Sequence, residues 1–352
     1  MNSQNRSITA LKGVKVGHIT YADKLTGCTL ILFRRPLPVS YVSHGGTPRI
    51  YDGEILQTGK SYPLKHGIFI SDGAHAGLET AAYIAKRLRE KKIGWRVGKS
   101  IMPSLTGACI YSLGLALAEF DPEMGYEVID QVSDEEVKSG NVGAGTGASV
   151  GKFSYTNRGL NLAMKTGVGN ARMDIGHGVI VTALTVLNAL GNIVGYDGKI
   201  IAGNRDDKKK SKFHSFEQAT HSLSSGPSNT TISIVGINVD VSQEDLKRIA
   251  EIASHGQVRA IDPINTSLDG DSVFAFTTKE VKHFLNPQGK RISRGDWYKL
   301  EIDMLGQAAD KVVQASIYDA CYKAEGIEYL FAHQKRVPSF TDLVKLQNSR
   351  VQ

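Results

Sequence analysis

Residues 228–241 read SNTTISIVGINVDV and carry the pattern that decides the fold of this chain. From Ile232 to Val241 the segment is apolar on both faces, which is typical of a strand that is covered on both sides of its sheet. Ser242 follows at once, with acidic residues behind it, and predicts a helix that begins there and ends just before Gly256. A buried strand joined directly to a helix favours an α/β fold.

The rest of the chain repeats this mixture of strands and helices. Further strands are predicted at Val14–Ile19, Cys28–Phe33, Ile68–Ser71, Val179–Leu187 and Val273–Phe276. Helices are predicted at about Ala74–Lys91, with Ser71-Asp72-Gly73 as its cap, and at Met304–Ala324. Asp197-Gly198 predicts a two-residue hairpin turn. Because neither an internal repeat nor a clear linker is found, residues 1–352 are predicted to form one α/β sandwich domain.

Composition limits the class of protein and its compartment. With 352 residues, 41% of them hydrophobic and 22% charged, the chain is typical of a soluble globular protein with a large core. The polar segment Met1–Leu11 argues against a secretory signal, and the sequence lacks the roughly 18 consecutive apolar residues of a membrane span. The cysteines Cys28, Cys109 and Cys321 are widely separated and odd in number, which favours a reducing cytoplasmic location.

A net charge of +7 raises the question of a nucleic-acid partner. The basic residues are mostly dispersed, however, and the one dense run at 208–212 lies in a polar stretch without aromatic residues. We therefore predict a solvated loop there and no nucleic-acid or membrane partner.

Residues 140–152, GNVGAGTGASVGK, resemble two nucleotide-binding motifs but match neither. A P-loop needs glycine where Thr146 stands and a hydroxyl residue where Phe153 stands. A dinucleotide fingerprint needs a preceding strand, and the preceding residues are polar. The segment is predicted to form either a tight turn or an active-site loop from which Lys152 projects. The histidines also lack metal-ligand spacing, and no GxSxG elbow occurs, so neither a cofactor nor a metal is predicted.

The pair Asn229-Thr230 is a candidate self-cleavage site. If its peptide bond breaks, Thr230 becomes an N-terminus that carries a hydroxyl and a free amine on one residue. A terminal amine has a pKa of about 8 and can serve as the base that a hydroxyl nucleophile needs. The alternative without a functional role is that Thr230 and Thr231 begin a strand, which their β-propensity favours.

Two acids flank a glycine about forty residues later, in SLDGDSVFAFTT. Asp269 and Asp271 lie two positions apart at a strand entrance, so both could face one point only if Gly270 bends the chain. On local evidence alone, the pattern favours an ordinary acidic turn.

Five segments together resemble one known family. They are VKVGHITYADKLTGCTLIL, SDGAHAGLE, VGAGTGASVGK, SNTTISIVGINVD and LDGDSVFAFTT, in that order. The chain resembles the N-terminal-nucleophile aminopeptidases of the DmpA type, which include the L-aminopeptidase/D-esterase, the β-peptidyl aminopeptidases and the nylon-oligomer hydrolases. The resemblance extends from about residue 10 to 325. It implies a four-layered α/β/β/α sandwich, the fold of the DmpA and ornithine acetyltransferase type, and usually a homotetramer.

The resemblance also implies a maturation step and an activity. The chain would cut itself between Asn229 and Thr230 into an α fragment, 1–229, and a β fragment, 230–352. The Thr230 hydroxyl would then attack small peptides, amino-acid amides or esters. Two alternatives stay open: an acyltransferase of the ornithine acetyltransferase kind, and a non-enzymatic binding protein that keeps the fold.

Five more positions match the family's functional residues. Asp269 and Asp271 correspond to the pair that positions or polarises the nucleophile, and their identity as two aspartates resembles the nylon-oligomer hydrolases. Asn188 corresponds to the amide that stabilises the oxyanion. Tyr111 corresponds to a tyrosine near the nucleophile, and Lys152 to a lysine at the end of the glycine-rich loop.

Overall fold

The structure is a computed structural model that describes residues 5–153, 162–206, 212–219, 229–282, 296–328 and 336–348. Its longer strands are β1 (Val14–Tyr21), β2 (Thr26–Ser43), β4 (Leu64–Ser71), β7 (Leu105–Cys109), β10 (Val168–Asp174), β11 (Ile180–Val186), β14 (Ile232–Val239) and β16 (Ser272–Val281). The short strands are β3 (Ile50–Tyr51), β5 (Trp95–Val97), β6 (Ser100–Met102), β8 (Ser149–Val150), β9 (Met164–Lys165), β12 (Asn192–Val194), β13 (Ile200–Ala202), β15 (Ile261–Asp262), β17 (Ile327–Glu328) and β18 (Arg336–Val337). The helices are α1 (Thr80–Glu90), α2 (Met124–Glu127), α3 (Gln243–Ala260), α4 (Asp296–Tyr322) and α5 (Phe340–Asn348).

Strand β2 connects the two halves of the main sheet. Its first part pairs with β1 and β4, and its last residues pair with β16. The full strand order is β10-β11-β14-β16-β2-β4-β7-β3, with β1 also paired to β2. The register between β2 and β4 is irregular between Leu32 and Leu37, where the sequence contains Pro36. The main sheet folds back on itself at β2. As a result, the ring of Phe33, in the first part of β2, contacts the ring of Phe276 in β16, with 4.7 Å between their centroids.

Three hydrophobic layers follow from this arrangement. One lies between α3, α4 and the β14 half of the sheet, where Val235, Ile237 and Leu305 are buried together. The alternate residues of β14, such as Ile234, point to the second layer between the two halves of the sheet. The third lies between the other half and α1, and includes Ile84. The order of layers is helix, sheet, sheet, helix, so the predicted α/β/β/α sandwich is confirmed.

The central strand and its helix follow the sequence prediction closely. All eight residues of β14 are buried, and Ser242 forms a capping box with Asp245 at the start of α3. The predicted end of this helix at Gly256 is wrong, because α3 continues to Ala260. Gly256 is needed for packing instead, since a Cβ there would lie 2.3 Å from the Asp310 carbonyl oxygen of α4.

The segment Ser71-Asp72-Gly73 also differs from its prediction as a helix cap. Helix α1 begins only at Thr80, after a 3₁₀ turn over Ala76–Glu79. The fully buried Asp72 accepts hydrogen bonds from the Ser112 amide at 3.1 Å, the Ser112 hydroxyl at 2.6 Å and the Thr26 hydroxyl at 2.9 Å. Its carboxylate therefore joins distant segments instead of capping a helix.

Several sequence predictions concern other parts of the chain. A hairpin does form around Asp197-Gly198, between strands β12 and β13, and Gly198 has a left-handed φ of +78°. The predicted length of two residues is wrong, because the last hydrogen bond, from the Gly195 amide to the Lys199 carbonyl at 2.8 Å, leaves residues 196–198 in the turn. The lysine-rich run, apart from Lys212, and residues 226–228 lie outside the described residues. In the described part of the chain, no helix is long and apolar enough to cross a membrane.

Candidate active site

The peptide bond between Asn229 and Thr230 is held in place from two sides. On one side, Asn229 donates its amide to the Leu268 carbonyl at 3.2 Å, and its own carbonyl accepts the Gly270 amide at 2.7 Å. On the other side, the Thr230 amide donates to the Asn188 carbonyl at 3.0 Å. Both Asn229 and Thr230 are only 1% exposed. The bond is therefore fixed in a water-excluded position at the entrance of β14.

The hydroxyl of Thr230 lies against the carbonyl group of the residue before it. Its Oγ1 donates to the Asn229 carbonyl oxygen at 2.6 Å, the same oxygen that accepts the Gly270 amide. A side chain at position 270 would prevent this approach, because a Cβ there would lie 2.8 Å from Thr230 Oγ1 and 3.0 Å from the Thr47 carbonyl oxygen. Glycine is thus required at position 270 by close contact with the hydroxyl.

The two aspartates are held beside Thr230 by contacts with different backbone groups. Asp271 accepts the Thr231 amide at 2.6 Å and the Asn265 amide at 3.1 Å, one on each carboxylate oxygen. Asp269 forms a parallel bridge with Asn229 and accepts the Thr266 amide at 2.8 Å on Oδ2. Its Oδ1 is buried and has no hydrogen-bond partner in the described part of the chain.

The electrostatic environment favours protonation of these carboxyl groups. Burial raises the pKa of Asp269, against the hydrogen bonds from Thr266. Burial, and after it the neighbouring charge of Asp269, raises the pKa of Asp271 as well. Because two buried carboxylates so close together resist simultaneous ionisation, the pair is able to hold or release a proton near neutral pH.

On the opposite side of Thr230, Asn188 connects three elements of the site. It follows strand β11, and its carbonyl oxygen accepts both the Thr230 amide and Lys152 Nζ, each at 3.0 Å. Its side-chain Oδ1 accepts Lys152 Nζ at 2.7 Å, and its Nδ2 donates to the Tyr111 carbonyl oxygen at 2.8 Å. The described link from Tyr111 to the site is therefore made by its backbone.

Lys152 is a buried cation-forming group with an unusual environment. Its residue is 8% exposed. Burial lowers the pKa of Lys152 to about 7, and the negative charges of Asp269, Asp271 and Asp72 act in the opposite direction. The lysine can therefore be either charged or neutral near physiological pH, and in both forms it has N–H groups to donate to Asn188.

The structure brings all six predicted site residues into one region, and it adds others that sequence reasoning did not assign. Thr47 donates its amide to the Asp269 carbonyl at 2.8 Å, and a Cβ on Gly45 would lie 2.3 Å from that same carbonyl oxygen. Ser149 donates its amide to Asn188 Oδ1 at 3.2 Å. The glycines of HGGTPRIYDG, residues 44–53, were the available signal, since close backbone packing requires residues without side chains.

Comparison with known proteins shows which family the chain belongs to. The chain is 28% identical over 318 residues to the 6-aminohexanoate-oligomer endohydrolase of Paenarthrobacter ureafaciens, covering 88% of this chain and 84% of that protein. It is 30% identical over 295 residues to an uncharacterized aminopeptidase of Mycobacterium bovis, covering 78% of this chain and 82% of the relative.

Solved structures share the fold. A Burkholderia β-aminopeptidase matches with a TM-score of 0.68 at 17% identity, over 98% of this chain and 94% of that one. The L-aminopeptidase D-Ala-esterase/amidase of Ochrobactrum anthropi, described as a variant of the Ntn hydrolase fold, matches with a TM-score of 0.67 at 17% identity, over 100% and 96% of the two chains. The protein thus has the Ntn hydrolase fold in the variant found in these aminopeptidases. It belongs to peptidase family S58, whose model matches residues 6–334.

Proposed function

We propose that the protein is a self-processing N-terminal-nucleophile hydrolase that cleaves itself between Asn229 and Thr230. The products are an α fragment, 1–229, and a β fragment, 230–352, which stay together in one sandwich domain. The mature enzyme is an aminopeptidase or amidase that uses Thr230 as its nucleophile. One observation carries the proposal: the Thr230 hydroxyl and the Gly270 amide meet at the Asn229 carbonyl oxygen, at 2.6 Å and 2.7 Å.

In self-cleavage, Thr230 Oγ1 attacks the carbonyl carbon of Asn229. Negative charge then develops on the carbonyl oxygen, where the Gly270 amide already donates a hydrogen bond. A donor fixed at this oxygen before the reaction stabilises the tetrahedral intermediate without reorganisation. The C–N bond breaks, the acyl group moves from nitrogen to oxygen, and water hydrolyses the resulting ester to free the Thr230 hydroxyl.

A proton must leave Oγ1 and reach the departing nitrogen of Thr230. Asp269 is suited to carry it, because its register pairs it with Asn229 and its Oδ1 is a buried acceptor without a described partner. The raised pKa of this carboxyl makes it a stronger base than an ordinary aspartate.

After cleavage, the nitrogen of Thr230 becomes the catalytic base. The Asn188 carbonyl that holds this nitrogen as an amide also accepts a hydrogen bond from an amine, so the base stays oriented. The amine takes the proton from Oγ1 and gives it to the leaving group of the substrate. We assign the Asn188 side chain to the substrate oxyanion and Lys152 to the orientation of Asn188. Tyr111 is assigned to the wall beside them.

Release of Asn229 creates the space for a substrate. Its side chain is buried, and neither Oδ1 nor Nδ2 forms a hydrogen bond in the described part of the chain. Leaving such groups unpaired costs about 1–3 kcal/mol, which favours departure of the new C-terminus into water. The substrates proposed are small peptides, amino-acid amides or esters, and linear amide oligomers, in line with the names of the relatives.

The proposal also covers the reaction class, the oligomeric state and the location of the protein. The match to a peptidase family supports hydrolysis instead of acyl transfer to ornithine-like acceptors. A homotetramer is a further proposal from the family resemblance, and sedimentation tests it. A cytoplasmic location is a further proposal from the number and spacing of the cysteines, and cell fractionation tests it.

The decisive experiment replaces Thr230 in the full chain. Thr230→Ala is expected to remain a single chain on a denaturing gel and to lose activity on an amino-acid amide by about 10⁴-fold or more. Wild type should give two fragments, with the smaller one beginning at Thr230 by N-terminal sequencing. Thr230→Ser keeps a hydroxyl and should still be processed.

Thr182→Ala is a matched control, because Thr182 is also buried and its hydroxyl also donates to a backbone carbonyl, that of Gly236 at 3.2 Å. It should be processed like wild type. Cleavage of Thr230→Ala at the same bond would mean that an external protease does the cutting, and an active, uncut wild-type chain would rule out the proposed maturation.

A further inference from the structure

A basic pocket lies at the end of the sandwich opposite the candidate active site. It has a volume of about 350 Å³, and its lining includes Lys12, Arg34, Arg35 and Glu280. The three cationic side chains and the one carboxylate give the lining of the pocket a formal charge of +2. Thr278, which also lines the pocket, lies in β16, seven residues after Asp271, which directly precedes that strand. At the usual rise of a strand this separation is roughly 23 Å. The pocket is therefore separate from the site around Thr230.

The fold builds this pocket from three segments that are distant in sequence. Gly13 has a left-handed φ of +77°, and its carbonyl accepts the Arg34 amide at 2.8 Å, which fixes Lys12 beside the irregular middle of β2. Arg35 donates from Nη2 to the Thr278 carbonyl at 3.0 Å and so joins β2 to the end of β16. These backbone connections bring the cations together.

The charges of the pocket are not neutralised by one another. In the described part of the chain, Lys12, Arg34, Arg35 and Glu280 form no salt bridge, and the Arg34 side chain forms no hydrogen bond. Arg35 uses one of its five N–H donors on Thr278. Guanidinium groups with free donors bind oxyanions through paired, charge-assisted hydrogen bonds, whereas isolated surface cations usually face water without converging.

A polar group in the wall of the pocket also lacks a partner. Thr278 is 3% exposed, and its Oγ1 forms no hydrogen bond in the described part of the chain. Buried hydroxyls are normally satisfied, so an unsatisfied one requires an explanation. Because Thr278 lines the pocket, its hydroxyl is available to donate to the oxygen of a ligand there. The neighbouring Leu37, which is 4% exposed, supplies an apolar surface for the body of the ligand.

We propose that this pocket binds a small multivalent oxyanion, such as a phosphate ester or a tricarboxylate. The guanidinium groups of Arg34 and Arg35 hold its oxygens, Lys12 adds charge, and the Thr278 hydroxyl donates from the wall. Glu280 opposes binding through its negative charge and limits the affinity.

The test is calorimetric titration of the full-length protein with inorganic pyrophosphate and, in a second arm, with citrate, at constant ionic strength. Arg34→Gln should raise the Kd by about tenfold, and Thr278→Val by about threefold. Glu280→Gln should lower the Kd by about threefold, because it removes the opposing charge. The arm with the lower Kd in wild type identifies the ligand as phosphate-like or carboxylate-like.

Arg248→Gln is the control for a general loss of positive charge, since Arg248 is an exposed arginine on α3. It should leave the Kd unchanged, and thermal unfolding should show that every variant is folded. Equal weakening by Arg248→Gln, unchanged binding by Arg34→Gln, or no tightening by Glu280→Gln would each overturn the proposal. Absence of binding to both probes in wild type would do the same, and none of these outcomes bears on self-cleavage at Thr230.

Discussion

Thr230 lies between two groups of residues that differ in origin and in what they contact. The aspartate wall, Asp269 to Asp271, follows Thr230 in the chain and contacts the Asn229 carbonyl and the Thr231 amide. The lysine wall consists of Tyr111, Lys152 and Asn188, precedes Thr230, and contacts its nitrogen through the Asn188 carbonyl.

This difference divides the proposed chemistry into two parts. In the proposed maturation, the aspartate wall holds the carbonyl group of the bond that breaks, and in the proposed turnover the lysine wall holds the nitrogen that becomes the base. Substitutions in the first should therefore affect self-cleavage most, and substitutions in the second should affect turnover by chains that are already cleaved.

Among substitutions in the two walls, the largest effect is expected from Asp271→Asn. Each oxygen of this carboxylate accepts a backbone N–H group. In the variant, the side-chain NH₂ group therefore faces the amide of either Thr231 or Asn265, and that amide loses its acceptor. We expect self-cleavage to slow by about 10²–10³-fold, which corresponds to the roughly 3–4 kcal/mol of a lost charged hydrogen bond and an unpaired donor. A time course of fragment formation on a denaturing gel measures this rate.

Asp240→Asn provides the control for that experiment. Asp240 is a half-buried carboxylate that forms a salt bridge with Lys279 far from the site, and its replacement should leave the cleavage rate within about twofold. If Asp271→Asn is cleaved as fast as this control, the aspartate wall has no part in maturation.

A smaller effect, confined to turnover, is expected from Asn188→Asp. The substitution keeps the oxygen that accepts Lys152 Nζ and removes the N–H donor assigned to the oxyanion. The backbone carbonyl that holds Thr230 is unchanged. We expect maturation to proceed and kcat on an amino-acid amide to fall by about 10²-fold, with KM within a few-fold, since an oxyanion donor contributes ~3 kcal/mol. An unchanged kcat would remove Asn188 from the oxyanion site.

The sequence predicted this site unevenly, and the reasons are physical. Strand β14 and the capping box at Ser242 depend on residues close together in the chain, so their patterns can be recognised locally. The end of α3 could not be predicted, because the reason for Gly256 is the approach of Asp310, 54 positions later. The same holds for Asp72, whose partners lie 40 and 46 residues away and replace its expected role as a cap.

The site itself was accessible through resemblance more than through pattern. Asp269 and Asp271 alone were consistent with an acidic turn, and only the matched order of five segments distinguished the two interpretations. No pattern pointed to the Gly270 amide as a donor, because every residue has a backbone amide and its direction depends on the fold. The long strand β2 was recognised only over Cys28–Phe33, since its prolines normally interrupt strands.

The smallest effect on the chemistry is expected from replacing Lys165. This lysine is buried like Lys152 but does not contact the site, so it tests whether burial alone matters for activity. Lys165 is fully buried, and burial lowers the pKa of Lys165 to about 7, as it does for Lys152. Its Nζ, however, donates to the carbonyl oxygens of Gly145 and Thr166, so it belongs to neither wall. Lys165→Met should leave kcat within about threefold, whereas Lys152→Met should lower it by about 10²-fold.

The signature of Lys165 is instead a dependence of stability on pH. Between its folded pKa of about 7 and an unfolded pKa of about 10.4, the unfolded chain binds one more proton than the folded one, so stability rises with pH by about 1.4 kcal/mol per unit. This contribution is lost as pH falls through that window. Lys165→Met should remove it, whereas Lys199→Met, at an exposed position, should not. Urea unfolding at several pH values, with Thr230→Ala in every chain to prevent cleavage, measures the slopes. Equal slopes in both variants would show that Lys165 keeps its charge in the folded protein, and burial would then be insufficient to explain the behaviour assigned to Lys152.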